Sequence, residues 1–340
     1  MRVLVLTPEI KRAAYRLRIG DVFPRVPGLE WETVELPRSG AALNREIDRA
    51  DEFDVVVLQK RLLERSAAWR LRNKARKVVY EVDDAVMVTR PGGEWWWPAR
   101  QRRARFAATA EILDLAVVGN TYLAEQMKAR GARTEIIPTC VDPVEYAVRP
   151  SYTTAADAPV RIAWIGSAST RPYLQEVLPA LEAASAELSG RLKLLVIADT
   201  APSGNSHLSV EFERWSLAGE KTAMASCDIG IAPTPDDAWS RGKCGFKLVQ
   251  YMASGLPTIA SPIGANAEIV RNGETGIHAT SRREWTEAVV RLSKESALRE
   301  RFGRAGRCLV ESDFAVEGAA KNWTEIFREL AHFRGYTEKH

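Results

Sequence analysis

The sequence predicts an α/β protein built as two parallel-sheet domains, and three observations carry that prediction. The chain has 340 residues, about twice the usual length of a domain. Short β-branched runs alternate with stretches of helical period, the pattern of parallel α/β sheets. The alternation lapses once, in an irregular stretch, and then restarts. Hydrophobic residues at 46% and charged residues at 27% supply core material for both domains and give no sign of disorder.

Taken in order, the expected strands of the first half are 3–6 (VLVL), 54–59 (DVVVLQ), 77–82 (KVVYEV), 115–119 (LAVVG) and 135–139 (EIIPT). Helical stretches Ala41–Ala50 and Tyr122–Arg130 fall between some of them. Continuous apolar runs of this kind mark strands buried on both faces. The segment VDPVEYAVRPSYTTAADAP is irregular, so residues 143–159 are the expected linker. The pattern restarts with 161–166 (RIAWIG), 192–198 (LKLLVIA), 228–233 (DIGIAP) and 257–261 (PTIAS). The tail from Phe314 to Phe333 spaces Ala319, Trp323, Ile326, Phe327 and Leu330 near a helical period. Two placements are open to it: a cap on the second sheet, or a crossing back to the first domain.

The amino terminus places apolar Val3–Leu6 ahead of basic residues, the reverse of a signal peptide. No window approaches the roughly 18 apolar residues of a membrane span. Cys140, Cys227, Cys244 and Cys308 are scattered with no C-x-x-C pair, which fits free thiols in a reducing cytoplasm. The net charge of +4 is unevenly spread, since the first 150 residues hold 26 Lys and Arg against 21 Asp and Glu. Residues 60–77 hold eight basic residues and one acid, Glu64, while Arg100, Arg102, Arg103 and Arg105 form a second cluster. A solvated helix face is the plain reading. Peripheral contact with an anionic membrane or a phosphorylated acceptor is the sharper one. Nucleic acid is not expected, because no recognised binding motif accompanies the charge.

Several chemistries lose ground at once. Thr7-Pro8 follows the first strand, where a dinucleotide fingerprint needs glycines. RGKC (241–244) lacks the Ser or Thr and the earlier glycine of a phosphate loop. The four histidines, His207, His278, His332 and His340, are not spaced as metal ligands. The informative passage is residues 232–270. A loop enters a helix near Gly245, the helix runs to about Ser254, and Gly255 caps it. A helix amino terminus offers unpaired N–H groups and partial positive charge to an anion. Gly242 and Gly245 admit close approach to the backbone, and Arg241, Lys243 and Lys247 add cations. Lys247 and Gln250 lie three apart and share a helix face. The arrangement suits a diphosphate on Lys247, with Gln250 reaching a hydroxyl. A second phosphate-facing turn follows the strand 161–166, where Gly166, Ser167 and Thr170 offer donors and Arg171 a charge.

Residues 227–270 resemble the donor-binding segment of the family-4 retaining glycosyltransferases, in particular a bacterial branch that reads WxxGKCxFKxxQYMAxGxPVVASPVG. WIGSAST (164–170), WS followed by Glu220, EIV with NGETG (268–276), YEVDDA (80–85), GNTYLAE (119–125) and IIPTCVD (136–142) are similar to that branch as well. The resemblance implies the GT-B fold, two facing Rossmann-like domains with the C-terminal helix crossing back. The amino-terminal acceptor domain would be 1–150 plus 315–340, and the donor domain 160–314. It further implies transfer of a sugar from a UDP- or GDP-linked donor to a hydroxyl of a sugar or lipid-linked acceptor, with retention, in cell-surface polysaccharide or glycolipid synthesis. Lys247 and the amides of Gly245 and Phe246 would hold the diphosphate. Gln250 stands where the family has a ribose-binding glutamate, and Phe212, Arg214 and Trp215 lie where the base is met. The family's Glu-x7-Glu pattern falls on Gly242 and Gln250, so Asp236 or Asp237 is a candidate replacement for the first acid.

Residues 1–150 contain no histidine, although many relatives have one near the reacting carbon. Asp83-Asp84, at the end of the strand 77–82, is the natural substitute, able to take a proton or steady positive charge. No metal and no cofactor are expected, because Lys243, Lys247 and the helix end already neutralise the leaving group. In GGEWWWPARQRRARF (92–106), Trp95, Trp96 and Trp97 cannot all face one core. Either they pack irregularly, or they form an aromatic platform for the acceptor. Arg16 and Arg18, after the first strand, are candidates to meet an anionic ligand. A sugar-nucleotide epimerase and a non-catalytic sugar-nucleotide binder are the rival readings.

Overall fold

The computed structural model describes residues 1–89, 96–155, 158–202 and 207–332. Two compact units divide the chain. The first comprises Met1–Cys140, Asp237–Cys244 and Val316–His340; the second comprises Val141–Asp236 and Gly245–Ala315.

The first unit is built on six strands: β1 (Arg2–Thr7), β2 (Glu30–Glu35), β3 (Val55–Gln59), β4 (Val78–Val82), β5 (Leu115–Val118) and β6 (Thr134–Ile136). They pair in parallel in the order β2-β1-β3-β4-β5-β6. Alternate residues serve opposite faces. Leu4, Leu6, Val56, Leu58, Tyr80 and Val82 enter one core cluster, whereas Val3, Val5, Val55, Val57, Val79 and Val117 enter another. The helix Val316–His332 closes this second face with Val316, Ala319, Ala320, Trp323, Ile326, Phe327 and Leu330. Phe23 meets Trp323 and Phe327 edge-on, with ring centroids 5.2 and 5.8 Å away. The tail therefore belongs with the first sheet.

The second unit has β7 (Val160–Ile165), β8 (Leu192–Ala198), β9 (Ser209–Arg214), β10 (Ile229–Ala232), β11 (Thr258–Ala260) and β12 (Gly276–His278). All pair in parallel, in the order β12-β11-β10-β7-β8-β9. The helices Arg171–Glu187 and Arg282–Lys294 contribute to the core on one face. Phe246–Ala253 contributes on the other, and Ser296–Asp313 serves both, with Leu298 and Phe302 in the first cluster and Leu309 and Val310 in the second.

Three strands, β2, β9 and β12, do not stand out in the sequence, and all three lie at sheet edges. An edge strand is sealed on one side only, so EWETVE and SVEFER keep polar residues that a central strand could not. The stretch expected as a linker is packed into the second unit as far as it is described. Arg149 pairs with Asp228 at 2.8 Å, with side chains 7% and 8% exposed, and Arg299 donates to the Tyr152 carbonyl at 2.7 Å. Among the described residues no helix is long and apolar enough to cross a membrane.

The helix Arg282–Lys294 opens on a full capping box, Ser281 with Glu284. The backbone amides of Ser281 and Thr280 hold the Glu284 carboxyl down to about 2. A depressed carboxyl stabilises the fold above the unfolded value and loses that contribution as pH falls through the folded one. Glu284→Gln is therefore expected to lower the urea midpoint at pH 6, and the deficit should shrink steadily between pH 4.5 and 2.

Candidate donor and acceptor sites

In the second unit the carboxyl end of β7 leads into a turn, Gly166–Thr170, and then the helix Arg171–Glu187. The turn closes on itself, with the Ser167 amide donating to Thr170 Oγ1 at 3.2 Å. Arg171 reaches sideways, donating to the Thr200 carbonyl and hydroxyl at 2.8 and 2.6 Å. A side chain on Gly166 would put Cβ 2.5 Å from the Trp164 ring and 2.6 Å from Thr170 Oγ1. Trp164 is fully buried, and its ring lies 5.1 Å from the Lys247 ammonium, a cation–π contact. Gly166 and Lys247 thus share one tryptophan, which ties together two turns that look independent in the sequence. Trp164 is missed as a site residue because an apolar residue inside a strand reads as core.

Lys247 sits in the first turn of the helix Phe246–Ala253. Its N-cap, Gly245, has φ +63°, the left-handed region that favours glycine, and a Cβ there would also crowd Ile269 Cδ1 at 2.6 Å. Phe246 packs against the core beneath. Tyr251 fixes the helix to the sheet: its hydroxyl accepts from the Ile165 amide at 2.9 Å and donates to the Ile231 carbonyl at 3.2 Å. Gln250 faces inward, 2% exposed, and its amide donates to the Tyr146 hydroxyl at 3.4 Å. It is engaged by the protein itself. At the edge strand β9, Phe212 and Trp215 are 41% and 39% exposed, Arg214 is exposed, and Trp215 Nε1 donates to the buried Glu220 at 2.8 Å.

Asp237, Arg241 and Lys243 fall in the first unit. Their segment is held by Asn120, whose amide donates to the carbonyls of Arg241 and Lys243 at 3.3 and 3.0 Å. Asp237 caps the turn Ala238–Arg241, accepting from the Ser240 amide at 2.7 Å. Lys243 lies 5.0 Å from the Trp239 ring. Gly242 lies against Ala85, where a Cβ would come within 2.8 Å of the backbone nitrogen. No glutamate fits at that position in this packing.

The first unit gathers its ionisable groups at the carboxyl ends of β3 and β4. Lys60 Nζ lies 2.7 Å from both Asp83 Oδ1 and Asp84 Oδ2. The Asp83 side chain is 9% exposed and that of Asp84 33%, so Asp84 is the open member of the pair. Burial pulls the Lys60 ammonium down, but Asp83 and Asp84 outweigh it and the net is upward. Burial likewise pushes Asp83 up, and Lys60 with Arg18 reverses it to a net depression. Sequence reasoning counts Lys60 only within a basic run. Its place immediately after one strand, with Asp83 following the next, was the available signal, because consecutive strands usually neighbour each other.

Arg18 corrects an expectation. Its guanidinium is not offered to a ligand: the side chain is 2% exposed, with Nε 2.7 Å from Glu81 and Nη1 donating to the Ile137 carbonyl at 2.5 Å. Gln59 completes the set, donating to Glu81 at 2.8 Å and accepting from Thr7 at 2.8 Å. Arg16 is partly exposed, 3.7 Å from Asp21. Trp95 and the side chains of Trp96 and Trp97 lie outside the described residues. Among the described residues no cluster of three metal-ligating side chains forms.

One consequence concerns packing alone. Gly166→Ala must displace a fully buried ring, so a loss of roughly 1–3 kcal/mol is expected, read as a lower urea midpoint at unchanged slope.

Residues 159–295 match the family described as glycosyl transferases group 1. A phosphatidyl-myo-inositol mannosyltransferase of Mycobacterium leprae (strain TN) is 35% identical over 91 residues, 26% of this chain and 23% of that protein. Spore coat protein SA of Bacillus subtilis (strain 168) is 33% identical over 83 residues, 24% and 22% of the two chains. The chain thus spans under a quarter of the length of these relatives. Among solved structures, Anabaena HepE in complex with UDP-glucose superposes with TM-score 0.72 at 15% identity, over 97% of this chain and 100% of that one. A sucrose-phosphate synthase of Thermosynechococcus elongatus gives 0.70 at 14% identity, over 98% and 99%. Residues 159–295 are thus similar to the group 1 glycosyl transferases, and along nearly its whole length the chain shares the GT-B fold of these solved structures.

Proposed function

We propose that this protein transfers a glycosyl unit from a UDP-sugar to a hydroxyl acceptor, with retention and without a resident metal. The observation that carries the reading is Lys247, held over Trp164 in the first turn of a helix capped by left-handed Gly245. An ammonium beside the opening amides of a helix is the combination that suits a diphosphate, and this supports the reading. Structures of similar fold bind UDP-glucose in Anabaena HepE, and UDP with GlcNAc in a pneumococcal O-GlcNAc transferase (TM-score 0.59). Exposed Phe212, Arg214 and Trp215 would meet the base, and the turn Gly166–Thr170 the phosphates.

In the reaction the bond from the anomeric carbon to the phosphate oxygen breaks, and a bond to the acceptor oxygen forms. Lys247 and the amides of Gly245 and Phe246 stabilise the departing UDP. Asp84, the open carboxylate, takes the acceptor's proton or steadies the positive charge on the sugar, with Lys60 holding it in place. A sugar or lipid-linked hydroxyl is the acceptor class, presented by the first unit.

Calorimetric titration with UDP, GDP and ADP in EDTA tests this reading. UDP is expected to bind, and more tightly than the other two. Failure of all three to bind would overturn the donor site.

A further inference from the structure

The basic run 60–77 resolves into two kinds of residue. Most of it is neutralised within the first unit: Arg70 pairs with Asp48, Arg72 and Lys77 with Asp114, Lys74 with Asp51, and Arg76 with Asp54. Lys60 serves Asp83 and Asp84. Such pairs are a structural face and leave little charge for a partner.

Arg61 differs. Among the described residues it is paired with no carboxylate. Its Nη2 donates to the Arg38 carbonyl at 2.8 Å, and its buried Nε has no hydrogen-bond partner. Burial pulls its guanidinium down, and the charges of Arg105 and Arg38 pull the same way against Glu64 alone. Glu64 is itself held by Arg105 Nη2 at 2.5 Å. Arg61 therefore feels two neighbouring guanidiniums, Arg105 and Arg38, and one carboxylate, Glu64, that is already engaged. Like charges that converge on a donor without an acceptor form a ready site for a doubly charged anion, and the guanidinium fork matches phosphate oxygens.

The location supports the same conclusion. Arg61 follows Lys60 directly, just past the carboxyl end of β3, where ligands of parallel sheets bind. A group bound there is one residue from the lysine that holds Asp84.

We propose that Arg61, with Arg38 and Arg105, binds a phosphate group, and that this phosphate is carried by the acceptor. The second clause rests on the transferase reading; phosphate binding itself does not. The phosphate could be that of a lipid headgroup or of a soluble phosphorylated sugar, and the chemistry at Arg61 is the same for both.

The test uses the whole chain, as wild type, Arg61→Gln and Arg61→Lys, with folding checked by circular dichroism. Inorganic phosphate is titrated at fixed ionic strength, and co-sedimentation is measured with phosphatidylcholine vesicles with and without phosphatidylglycerol. UDP is titrated separately. The expected result is that Arg61→Gln weakens phosphate binding by about tenfold or more while Arg61→Lys retains part of it, with UDP affinity unchanged in both. Binding to the anionic vesicles alone, lost in Arg61→Gln, would support the site and assign it to a headgroup. Wild type that binds neither probe, or Arg61→Gln that binds both as well as wild type, overturns the proposal. Phosphate binding without UDP binding would keep the site and sink the transferase reading instead.

Discussion

Lys247→Ala is expected to cut turnover by about 10²–10³, the usual loss on removing one preorganised group from a developing charge. UDP affinity should fall with it, because the ammonium meets the diphosphate in the ground state as well. The argument lies in how the side chain is fixed. The Trp164 ring supports the ammonium at 5.1 Å, Gly166 makes the room that ring occupies, and Tyr251 pins the helix to β7 and β10. A lysine so constrained loses little entropy on meeting its ligand. Lys247→Arg tests the point, since it keeps the charge and alters the reach, and an intermediate loss is expected. Stability should change little in either variant, because Lys247 is only partly buried. Steady-state kinetics with UDP release as the signal would measure it. Turnover within a factor of about three of wild type would remove Lys247 from the mechanism.

The second large effect falls on stability. Arg18→Met is expected to cost roughly 3–5 kcal/mol, the usual result of stranding a buried charge. Arg18 and Glu81 are 2% and 0% exposed and 2.7 Å apart. Burial, and after it the charge of Asp83, pushes the Glu81 carboxyl up even though Arg18 and Gln59 pull it down. Glu81 is thus barely compensated with its partner present, and poorly compensated without it. Arg18→Met with Glu81→Met should recover much of the loss, because apolar replacement of a whole buried pair is often neutral. The pH dependence has a definite sign. Asp83 is depressed in the fold, so its contribution is full above the ordinary carboxylate range and is lost as pH falls through the folded value. Arg18 is one cause of that depression. The variant's deficit should therefore narrow in acid, as followed by urea denaturation across the acid range.

How much of this was legible in the sequence depended on what each residue faces. Central strands declared themselves, because β1, β3, β4 and β5 are sealed on both faces and tolerate little but apolar side chains. The helix Phe246–Ala253 was equally plain, with Gly245 and Gly255 at its two ends. Edge strands β2, β9 and β12 were hidden by their half-exposed composition. In the sites, residue types could be read but not their enclosure. Arg18 and Arg16 look alike in sequence, and only the fold shows that one is sealed against Glu81 while the other is partly open. Gln250 shares a helix face with Lys247 by spacing alone, yet its amide turns to Tyr146. Gly242, where the resemblance leads one to expect an acid, became intelligible only once Ala85 was seen against it.

The position of the last helix has a consequence for biosynthesis. One face of the first sheet, lined by Val3, Val5, Val55, Val57, Val79 and Val117, is covered by residues from Val316 onward. The ribosome makes those valines first and their cover last. Through most of translation a row of parallel, β-branched strands is only partly covered on that side, by residues such as Ile19, Val22, Phe23 and Val26, while residues 141–315 can complete the larger part of their own unit. The part of the chain made first is the last to be sealed, so its nascent form is where chaperone dependence and aggregation should concentrate.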